Sequence, residues 1–272
     1  MSGTFSIGDL DMKWQPEIGL ALVLILFPTF PVHAQTVSPT KAHEESFSGY
    51  LFQELPKNLL RGTTETFSGW HLAILGAGGG AAIGLSQTDA DDEVRSGAGD
   101  SIGDFATIGD IAGNGFTLGG IALSTYIVGR VAEDDKMIAT GKALIESQIL
   151  AQTMTVLLKV ATDRERPDGS GDRLDSSFPS GHASGTFALA STVDAMYGHE
   201  IGIPLYLLAG FVAFSRLSDE KHFLSDVVFG AALGTVVGRS VAGFHKQEEQ
   251  KRMAILPYAD AHGVRLMLTV WW

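Results

Sequence analysis

The chain contains no cysteine, and this absence excludes disulfide bonds, thiolate catalysis and cysteine-ligated zinc sites. Basic residues are also few: 19 Lys and Arg stand against 31 Asp and Glu, which gives a formal net charge of -12. Nucleic acids attract clustered basic side chains, so this balance argues against a nucleic-acid partner. A site that binds an anion must therefore be a local group of cations within an acidic protein.

Charged residues of both signs make up only 18% of the chain, whereas apolar residues make up 45%. The mean hydropathy of +0.16 is high for a soluble protein and low for a polytopic membrane protein. Composition alone thus leaves membrane insertion open. A length of 272 residues is sufficient for one substantial core, and we expect one main domain.

The N-terminal residues have the three-part layout of a secretory signal. Met12 and Lys13 precede an apolar run over residues 18–27, and the small residue Ala34 marks the expected cleavage site. The acidic residues before Met12 suit a signal poorly, so Met12 is the expected start. A retained membrane anchor is the alternative, because an apolar run extended to Phe30 comes closer to the length of a membrane span.

Helical periodicity predicts an all-α protein with a bundle of about six core helices. The expected helices cover residues 70–85, 102–131, 137–162, 182–197, 204–214 and 222–244. Residues 86–104 are rich in Asp, Gly and Ser and predict an exposed acidic loop. Near the C-terminus, residues 253–257 and 264–272 flank a turn-like segment and predict a small β-hairpin.

The chain is expected to have four parts along its length. A signal peptide is followed by an N-terminal arm, a helical domain and a C-terminal tail or hairpin. Their expected bounds are residues 1–34, 35–65, 66–246 and 247–272. The glycine-rich residues 76–80 lack the Gly-Lys-Ser/Thr of a phosphate-binding loop, so close helix packing is the preferred interpretation of that stretch.

Three polar clusters lie at predicted helix boundaries, and the first consists of Lys159 and, seven positions later, Arg166 followed by Pro167. Seven residues are close to two helical turns, and proline disfavours helical geometry at the residue before it, so two cations share one helix end. Basic residues at a helix C-terminus also offset the helix dipole. This cluster alone therefore does not establish a binding site.

The second cluster is the turn Ser180-Gly181-His182, which precedes an apolar helical run. Free N–H groups at a helix N-terminus, a hydroxyl and an imidazole together suit an anion with a proton donor beside it. The structural alternative is a helix N-cap by Ser180 next to an incidental histidine. The motif by itself favours neither interpretation.

The third cluster consists of Ser215-Arg216, His222 and Asp226. An i,i+4 spacing places His222 and Asp226 on one helix face, where the carboxylate can hold one ring nitrogen protonated and direct the other at an electrophile. Arg216 supplies a planar guanidinium that can bridge two phosphoryl oxygens. An ordinary ion pair at a helix start and a His/Asp pair of metal ligands are the alternatives.

In this order, the three clusters resemble the complete signature of the type 2 phosphatidic acid phosphatase and vanadium haloperoxidase superfamily. The resemblance covers the chain firmly from Lys159 to Asp226, and it implies the helical fold of that family. It assigns catalysis to His222 as nucleophile, Asp226 as its orienting carboxylate and His182 as proton donor to the leaving group. The residues that it assigns to phosphate binding are Lys159, Arg166, Ser180, Gly181 and Arg216.

The resemblance implies a metal-independent phosphatase that hydrolyses phosphomonoesters or lipid (pyro)phosphates through a phosphohistidine. No metal or cofactor is expected, and vanadate is expected to inhibit. A vanadium-dependent haloperoxidase and a non-catalytic envelope protein are the alternatives. The expected partner is a phosphorylated lipid or small-molecule substrate, with contact to the membrane surface. A periplasmic location after signal cleavage is favoured over an inner-membrane protein whose site faces the periplasm.

Overall fold

A computed structural model describes residues 46–98, 101–103, 105–170, 172, 174–251, 253–260 and 263–270. The predicted signal peptide, with its start at Met12 and its cleavage site, lies outside the described residues, and so do the first residues of the predicted arm, 35–45. All described residues belong to the unit Ala34–Trp272.

Helices make up almost all of the described chain before residue 252, and the all-α prediction is confirmed. Two strands, β1 (Met253–Asp260) and β2 (Gly263–Val270), follow the last helix and pair antiparallel. In chain order the helical elements are α1 (Phe47–Gly49), a π-helical turn (Tyr50–Glu54), α2 (Leu55–Thr66), α3 (Gly69–Ser86), α4 (Ala90–Ala98), α5 (Phe105–Gly113), α6 (Gly115–Ala132), α7 (Asp135–Thr162), α8 (Gly181–Tyr197), α9 (His199–Ser218) and α10 (Leu224–Lys251).

The apolar core lies around the middle of α10. Residues from α3, α7 and α8 pack against one face of this helix, and each large side chain buried here contributes roughly 1.5–3 kcal/mol relative to exposure. The buried members of this cluster are Leu75, Ala143, Leu150, Ala151, Met154, Ala188, Leu233, Val236, Val237, Val241 and Phe244.

A row of glycines brings α10 close to α8. Gly230, Gly234 and Gly238 recur every four residues and therefore share one helix face. A Cβ at Gly234 would lie 2.1 Å from the carbonyl oxygen of Ser184, and a Cβ at Gly238 would lie 2.1 Å from the hydroxyl of Ser191. Residues without a side chain allow the two backbones to approach. This seam fixes the start of α8 relative to the start of α10.

The predicted single helix over residues 102–131 is wrong, because the chain forms α5 and α6 with a break at Asn114. The Asn114 side chain accepts a hydrogen bond from the Phe116 N–H at 2.8 Å and so caps a new helix. The predicted start of the next-to-last helix at Pro204 is also wrong. Gly198 turns the chain with φ 92°, so α9 begins at His199 and contains the proline.

The predicted exposed loop over residues 86–104 is wrong in its central part, which forms α4. Asp91 in the first turn of α4 is buried, and its carboxylate accepts hydrogen bonds from the N–H and hydroxyl of Ser225 at 2.9 and 2.6 Å. A buried acceptor with two donors holds this short helix against the start of α10. The acidic composition of the segment therefore gave no indication that Asp91 is buried against Ser225.

The described part of the predicted N-terminal arm is helical from Phe47 onward and packs on the bundle. Glu146 of α7 is fully buried, and it accepts hydrogen bonds from the Tyr50 hydroxyl at 3.3 Å and from the Asn58 amide at 2.8 Å. Its second oxygen lies 2.7 Å from Nε2 of His245 on α10. This buried carboxylate therefore joins the π turn, α2, α7 and α10.

Three of the described helices are long and apolar enough to cross a membrane. They are α6, α9 and Leu224–Glu248 of α10. Large apolar side chains point outward on two of them, with Phe116 86%, Val131 81% and Leu207 72% exposed. Contiguous apolar surface is uncommon on proteins that face only water, so these helices suit a membrane protein.

Candidate active site

The three polar clusters converge where α7 and α9 end and α8 and α10 begin. The Ser180 N–H, at the N-cap of α8, donates to the main-chain carbonyl of Asp226 at 3.1 Å. The N–H of His222 donates to the carbonyl of Arg216 at 3.3 Å. At the end of α7, the Ser176 hydroxyl donates to the carbonyl of Lys159 at 2.9 Å. These contacts connect segments that are up to 67 positions apart in the chain, from Lys159 to Asp226.

His222 lies just before α10 and is 4% exposed. Its Nδ1 lies 2.7 Å from the main-chain carbonyl of Ser177. A carbonyl oxygen only accepts hydrogen bonds, so Nδ1 carries the ring hydrogen and Nε2 keeps its lone pair. Burial lowers the pKa of His222 to about 4, although the nearby carboxylate of Asp226 opposes this effect. The imidazole is therefore neutral at pH 7 with a free nucleophilic nitrogen.

Asp226 is fully buried, but its carboxylate does not hydrogen-bond the His222 ring as the spacing predicted. Oδ2 lies 3.7 Å from Nδ1 of His222, which is too long for a hydrogen bond. The same oxygen accepts the N–H of Phe223 at 2.8 Å, and Oδ1 accepts from Arg164 at 2.6 Å. The physical reason is that α10 begins at Leu224, so Asp226 caps the helix from its first turn.

Lys159 and Arg166 approach the same region, but not through the two helical turns that were predicted, because α7 ends at Thr162 and Arg166 lies beyond it. The Lys159 ammonium donates to the carbonyl of Ser176. The Arg166 guanidinium pairs with the carboxylate of Asp175, and its Nε donates to the Asp175 carbonyl at 2.9 Å. Burial and the positive charge of Arg166 lower the pKa of Lys159 to about 8. Both cations also act electrostatically on His222, because each opposes protonation of its ring.

His182 and Arg216 meet on a residue outside the three clusters, Asp110 of α5. Oδ1 of Asp110 lies 3.1 Å from Nε2 of His182 and accepts from Nη1 of Arg216 at 2.7 Å. These contacts, led by the hydrogen bond with His182, lower the pKa of Asp110. Arg216 is 4% exposed and also pairs with Asp219 at 2.8 Å. A Cβ at Gly113 would lie 2.6 Å from Cδ2 of His182, so this glycine makes room for the ring.

The turn at Ser180 and Gly181 forms the N-terminus of α8. The Ser180 hydroxyl accepts from the N–H of Ala183 at 3.4 Å, so it does act as the N-cap. On α7, the amide of Gln152 donates to the Gly181 carbonyl at 3.2 Å. The turn is thereby held from both sides, and the positive end of a 17-residue helix faces the polar clusters.

The candidate site residues thus form two groups, and main-chain hydrogen bonds connect the segments that carry them. One contains His222, Asp226, Lys159 and Arg166, and the other contains His182 and Arg216 around Asp110. Within the part of the chain that the structure describes, no group of three or more His, Asp or Glu side chains is arranged to hold a metal ion.

Sequence reasoning missed several residues that hold these groups in place. Asp110 and Arg164 lie outside the recognised spacing, and Asp91 lies in the segment that was interpreted as a loop. A signal did exist for Arg164, because it stands two positions before Arg166 in the run Asp163 to Pro167. Ser177 acts through its main-chain carbonyl, for which the side chain gives no signal.

Comparison with known proteins gives matches to a family model, to two characterised phosphatases and to a solved structure. Residues 141–249 match the model of the PAP2 superfamily. The chain is 34% identical over 116 residues to a lipid A 1-phosphatase of Porphyromonas gingivalis, covering 40% of this chain and 24% of that protein. It is 36% identical over 112 residues to a decaprenylphosphoryl-5-phosphoribose phosphatase of Mycobacterium tuberculosis, covering 38% of this chain and 61% of that protein. The alignments therefore span less than two thirds of these relatives.

The structure of this chain matches one solved structure, that of a transmembrane PAP2-type phosphatidylglycerolphosphate phosphatase from Bacillus subtilis. The sequence identity is 19% and the TM-score is 0.37, over 75% of this chain and 100% of that chain.

Proposed function

We propose that this chain, whose residues 141–249 match the model of the PAP2 superfamily, is a phosphatase that hydrolyses lipid phosphates through a phosphohistidine. The superfamily resemblance expected from the three clusters is thereby confirmed, whereas the chemistry is our inference from the site. The observation that carries it is the state of His222, a buried neutral imidazole whose Nδ1 hydrogen is held by the Ser177 carbonyl. Its free Nε2 is the nucleophile that the reaction requires.

In the first step, Nε2 of His222 attacks phosphorus in line with the leaving oxygen. A nitrogen–phosphorus bond forms, the bond from phosphorus to the leaving oxygen breaks, and His182 gives its proton to that oxygen. Negative charge on the phosphoryl oxygens is stabilised by Lys159, Arg166 and Arg216.

In the second step, water attacks phosphorus and His182 accepts its proton. The nitrogen–phosphorus bond breaks, and inorganic phosphate leaves with the neutral imidazole restored. Asp226 lies 3.7 Å from Nδ1, where its charge stabilises the positive ring of the intermediate without a direct hydrogen bond. These protein cations supply the charge stabilisation that a metal ion gives to other phosphatases, so the scheme needs no metal.

Two observations support a lipid as the substrate. The relatives' names specify lipid A 1-phosphate and decaprenylphosphoryl-5-phosphoribose, both phosphorylated lipids. Apolar side chains are exposed on α5 beside Asp110, with Phe105 65% and Ile108 44% exposed. A phosphate-release panel would compare phosphatidic acid, phosphatidylglycerol phosphate, undecaprenyl pyrophosphate and a soluble aryl phosphate. Faster release from the lipids supports the assignment, and release from the aryl phosphate alone contradicts it.

The candidate spans bear on where the site lies. Helix α9 ends at the site and α10 begins there, so these two candidate spans place the site near one end of both, at a membrane surface. We infer a membrane protein, which revises the preference for a soluble periplasmic enzyme, and we take the exported side for its site from the family resemblance alone. Extraction of the protein only by detergent supports this inference. Release of the protein with the periplasmic contents would contradict it.

The phosphohistidine mechanism is tested by replacing His222 with alanine. Loss of the attacking atom should reduce kcat by more than about 10⁴-fold, as for nucleophiles in other covalent mechanisms. His199→Ala is the matched control, because His199 is 77% exposed in its side chain and begins α9 at the end opposite Arg216. Its activity should stay within about twofold of the wild type. A His222→Ala protein that keeps substantial turnover would show that another group attacks phosphorus.

A further inference from the structure

Asp168 and Lys221 join the two turns that carry the site residues Arg166 and His222. Oδ2 of Asp168 accepts a hydrogen bond from the Lys221 ammonium at 2.6 Å. The N–H of Asp168 donates to the main-chain carbonyl of Glu220 at 3.2 Å. Asp168 lies two positions after Arg166, and Lys221 directly precedes His222. These contacts therefore connect the segment between α7 and α8 to the segment between α9 and α10.

The turn that carries Arg166 is closed by hydrogen bonds of its own. The N–H of Gly169, which has φ 70°, donates to the carbonyl of Arg166 at 3.0 Å. Oδ1 of Asp168 accepts from the N–H and the hydroxyl of Ser170 at 2.9 and 2.6 Å. Burial would raise the pKa of Asp168, but hydrogen bonds from Lys221 and Ser170 outweigh it and hold that pKa below its ordinary value. The carboxylate is therefore ionised at pH 7 and fixed within the turn.

The turn that carries His222 is closed as well. The N–H groups of Lys221 and His222 both donate to the carbonyl of Arg216, at 3.1 and 3.3 Å. The N–H of Glu220, which has φ 53°, donates back to a carbonyl near the end of α9 at 3.1 Å. Because each turn is closed, a contact between the two turns fixes the position of Arg166 relative to His222.

We propose that Asp168 and Lys221 are positioning residues that hold Arg166 and His222 at a fixed separation, so that both act on one phosphoryl group. The inference rests on the proposed function, which assigns phosphate binding to Arg166 and nucleophilic attack to His222. The name "loop latch" is used below for Asp168 and Lys221 with the ion pair between them. Neither residue was assigned a role by the three polar clusters in the sequence.

The loop latch should affect the rate more than the stability. The side chains of Asp168 and Lys221 are 23% and 39% exposed, and ion pairs with this much exposure contribute little to stability. The rate of the chemical step depends on position, and a misplacement of about 1 Å costs about 100-fold. The main-chain bond from Asp168 to Glu220 remains when the ion pair is removed, so the displacement is smaller and we expect a loss of about tenfold.

Charge alone predicts the opposite result for Asp168, which makes Asp168→Asn the decisive variant. Asp168 is an anion close to a proposed site for anions, so removal of its charge would by itself favour phosphate binding. The loop latch predicts weaker binding, because Arg166 loses its fixed position. The amide oxygen of the asparagine can still accept from Ser170, so the turn is retained while the pair with Lys221 is lost. Lys221→Met alone does not distinguish the two effects, since both lower phosphate affinity.

The test uses the full-length protein in detergent, with inorganic vanadate as the oxyanion probe and phosphate release from the preferred lipid of the panel as the measure of turnover. In Asp168→Asn, kcat should fall by about tenfold and the Kd for vanadate should rise by about threefold. The double variant Asp168→Asn/Lys221→Met should resemble Asp168→Asn, because the loop latch can be broken only once. Independent charge effects would instead cancel in the double variant and restore the wild-type values.

Glu248→Gln is the matched control, because it removes an ion pair of the same kind near the other end of α10. Glu248 accepts from Arg61 at 2.8 Å, and the two side chains are 53% and 38% exposed. Its kcat and its Kd for vanadate should stay within about twofold of the wild type, and its Tm should lie within about 2 °C of that of Asp168→Asn. Equal losses of kcat in the two variants, or a much lower Tm in Asp168→Asn, would show that Asp168 has only a structural role.

The outcomes separate this inference from the proposed function. If the wild type releases phosphate and Asp168→Asn binds vanadate as tightly as the wild type or more tightly, the loop latch alone is overturned. If the wild type binds vanadate without turnover and Asp168→Asn binds it more weakly, the loop latch is supported although the phosphatase proposal fails. A wild type that neither binds vanadate nor releases phosphate overturns both.

Discussion

Replacing Gly234 with alanine tests the close approach of α10 to α8 on which the site depends. The added Cβ would lie 2.1 Å from the carbonyl oxygen of Ser184 and 2.9 Å from the amide nitrogen of Ala188. Both are main-chain atoms within a helix, so neither can turn away as a side-chain end can. Carbon and oxygen atoms approach to about 3.3 Å, so the two helices must separate locally by roughly 1 Å.

Two opposing effects determine how much the Gly234→Ala substitution changes the free energy of unfolding. Alanine favours a helix over glycine by about 1 kcal/mol, whereas overpacking a close contact costs about 1–3 kcal/mol. The overlap at Gly234 involves the backbone, which places it at the upper end of that range. We therefore expect a net destabilisation of about 1–2 kcal/mol, which corresponds to a Tm lower by about 2–8 °C in a chain of this size.

Gly243→Ala is the matched control on the same helix. A Cβ at Gly243 would meet no atom within 4 Å, so only the helix preference applies. This variant should be more stable than the wild type by about 0.5–1 kcal/mol. If the change in the free energy of unfolding has opposite signs in the two variants, the difference comes from the contact with α8 and not from the change of residue type.

Thermal unfolding in detergent, followed by far-ultraviolet circular dichroism, measures both variants under the same conditions. Gly234→Ala should also lose phosphate release, because separation of α8 from α10 moves the Ser180 turn away from His222. A Gly234→Ala protein that unfolds at the same temperature as Gly243→Ala and keeps full activity would refute the close contact.

The pKa values of His222 and Lys159 predict two limbs in the dependence of kcat/KM on pH. The value of kcat/KM should fall as the pH drops through about 4, where His222 becomes protonated. It should also fall as the pH rises through about 8, where Lys159 loses its charge. An acid limb at the ordinary histidine value would contradict the buried neutral ring. Activity should survive EDTA and fall with micromolar vanadate, and loss in EDTA with restoration by a divalent metal would contradict the metal-free scheme. Asp226→Asn should keep measurable turnover, since the attacking atom remains, and complete inactivity would show a more direct role. Asp110→Asn should slow alkyl phosphates more than aryl phosphates, because only a poor leaving group needs the His182 proton, and equal losses would remove Asp110 from the leaving-group side.

The helices that carry the three clusters could be predicted from the sequence because their signals are local. Helical periodicity predicted α7 over residues 137–162, and the structure has Asp135–Thr162. The two interpretations of the Ser180 turn are compatible. The Ser180 hydroxyl caps the helix, while the N–H groups at the helix start remain suited to an anion. Proline after Arg166 predicted a helix end at Arg166, but α7 already ends at Thr162, where Asp163 adopts a left-handed conformation with φ 47°.

The contacts between clusters could not be predicted, because they join residues far apart in the chain. Asp110 and Arg216 are 106 positions apart, and Asp91 and Ser225 are 134 positions apart. An aspartate in a Gly-rich acidic stretch gives no sign that a distant hydroxyl will bury it. The spacing of His222 and Asp226 was misleading for a related reason, since a helix start two residues later changes which partner each atom meets.

Under the proposed function, a substrate phosphate that binds Arg216 would exchange with the carboxylate of Asp110. Arg216 is almost fully buried, and Asp110 with Asp219 supplies its counter-charge before any substrate arrives. A buried guanidinium without such a partner would be strongly destabilising. An incoming phosphoryl group would therefore compete with these two carboxylates, and its affinity would reflect the difference between its own interaction with Arg216 and theirs. We therefore expect a phosphate dianion to gain from this competition and a singly charged sulfate ester or carboxylate to gain little.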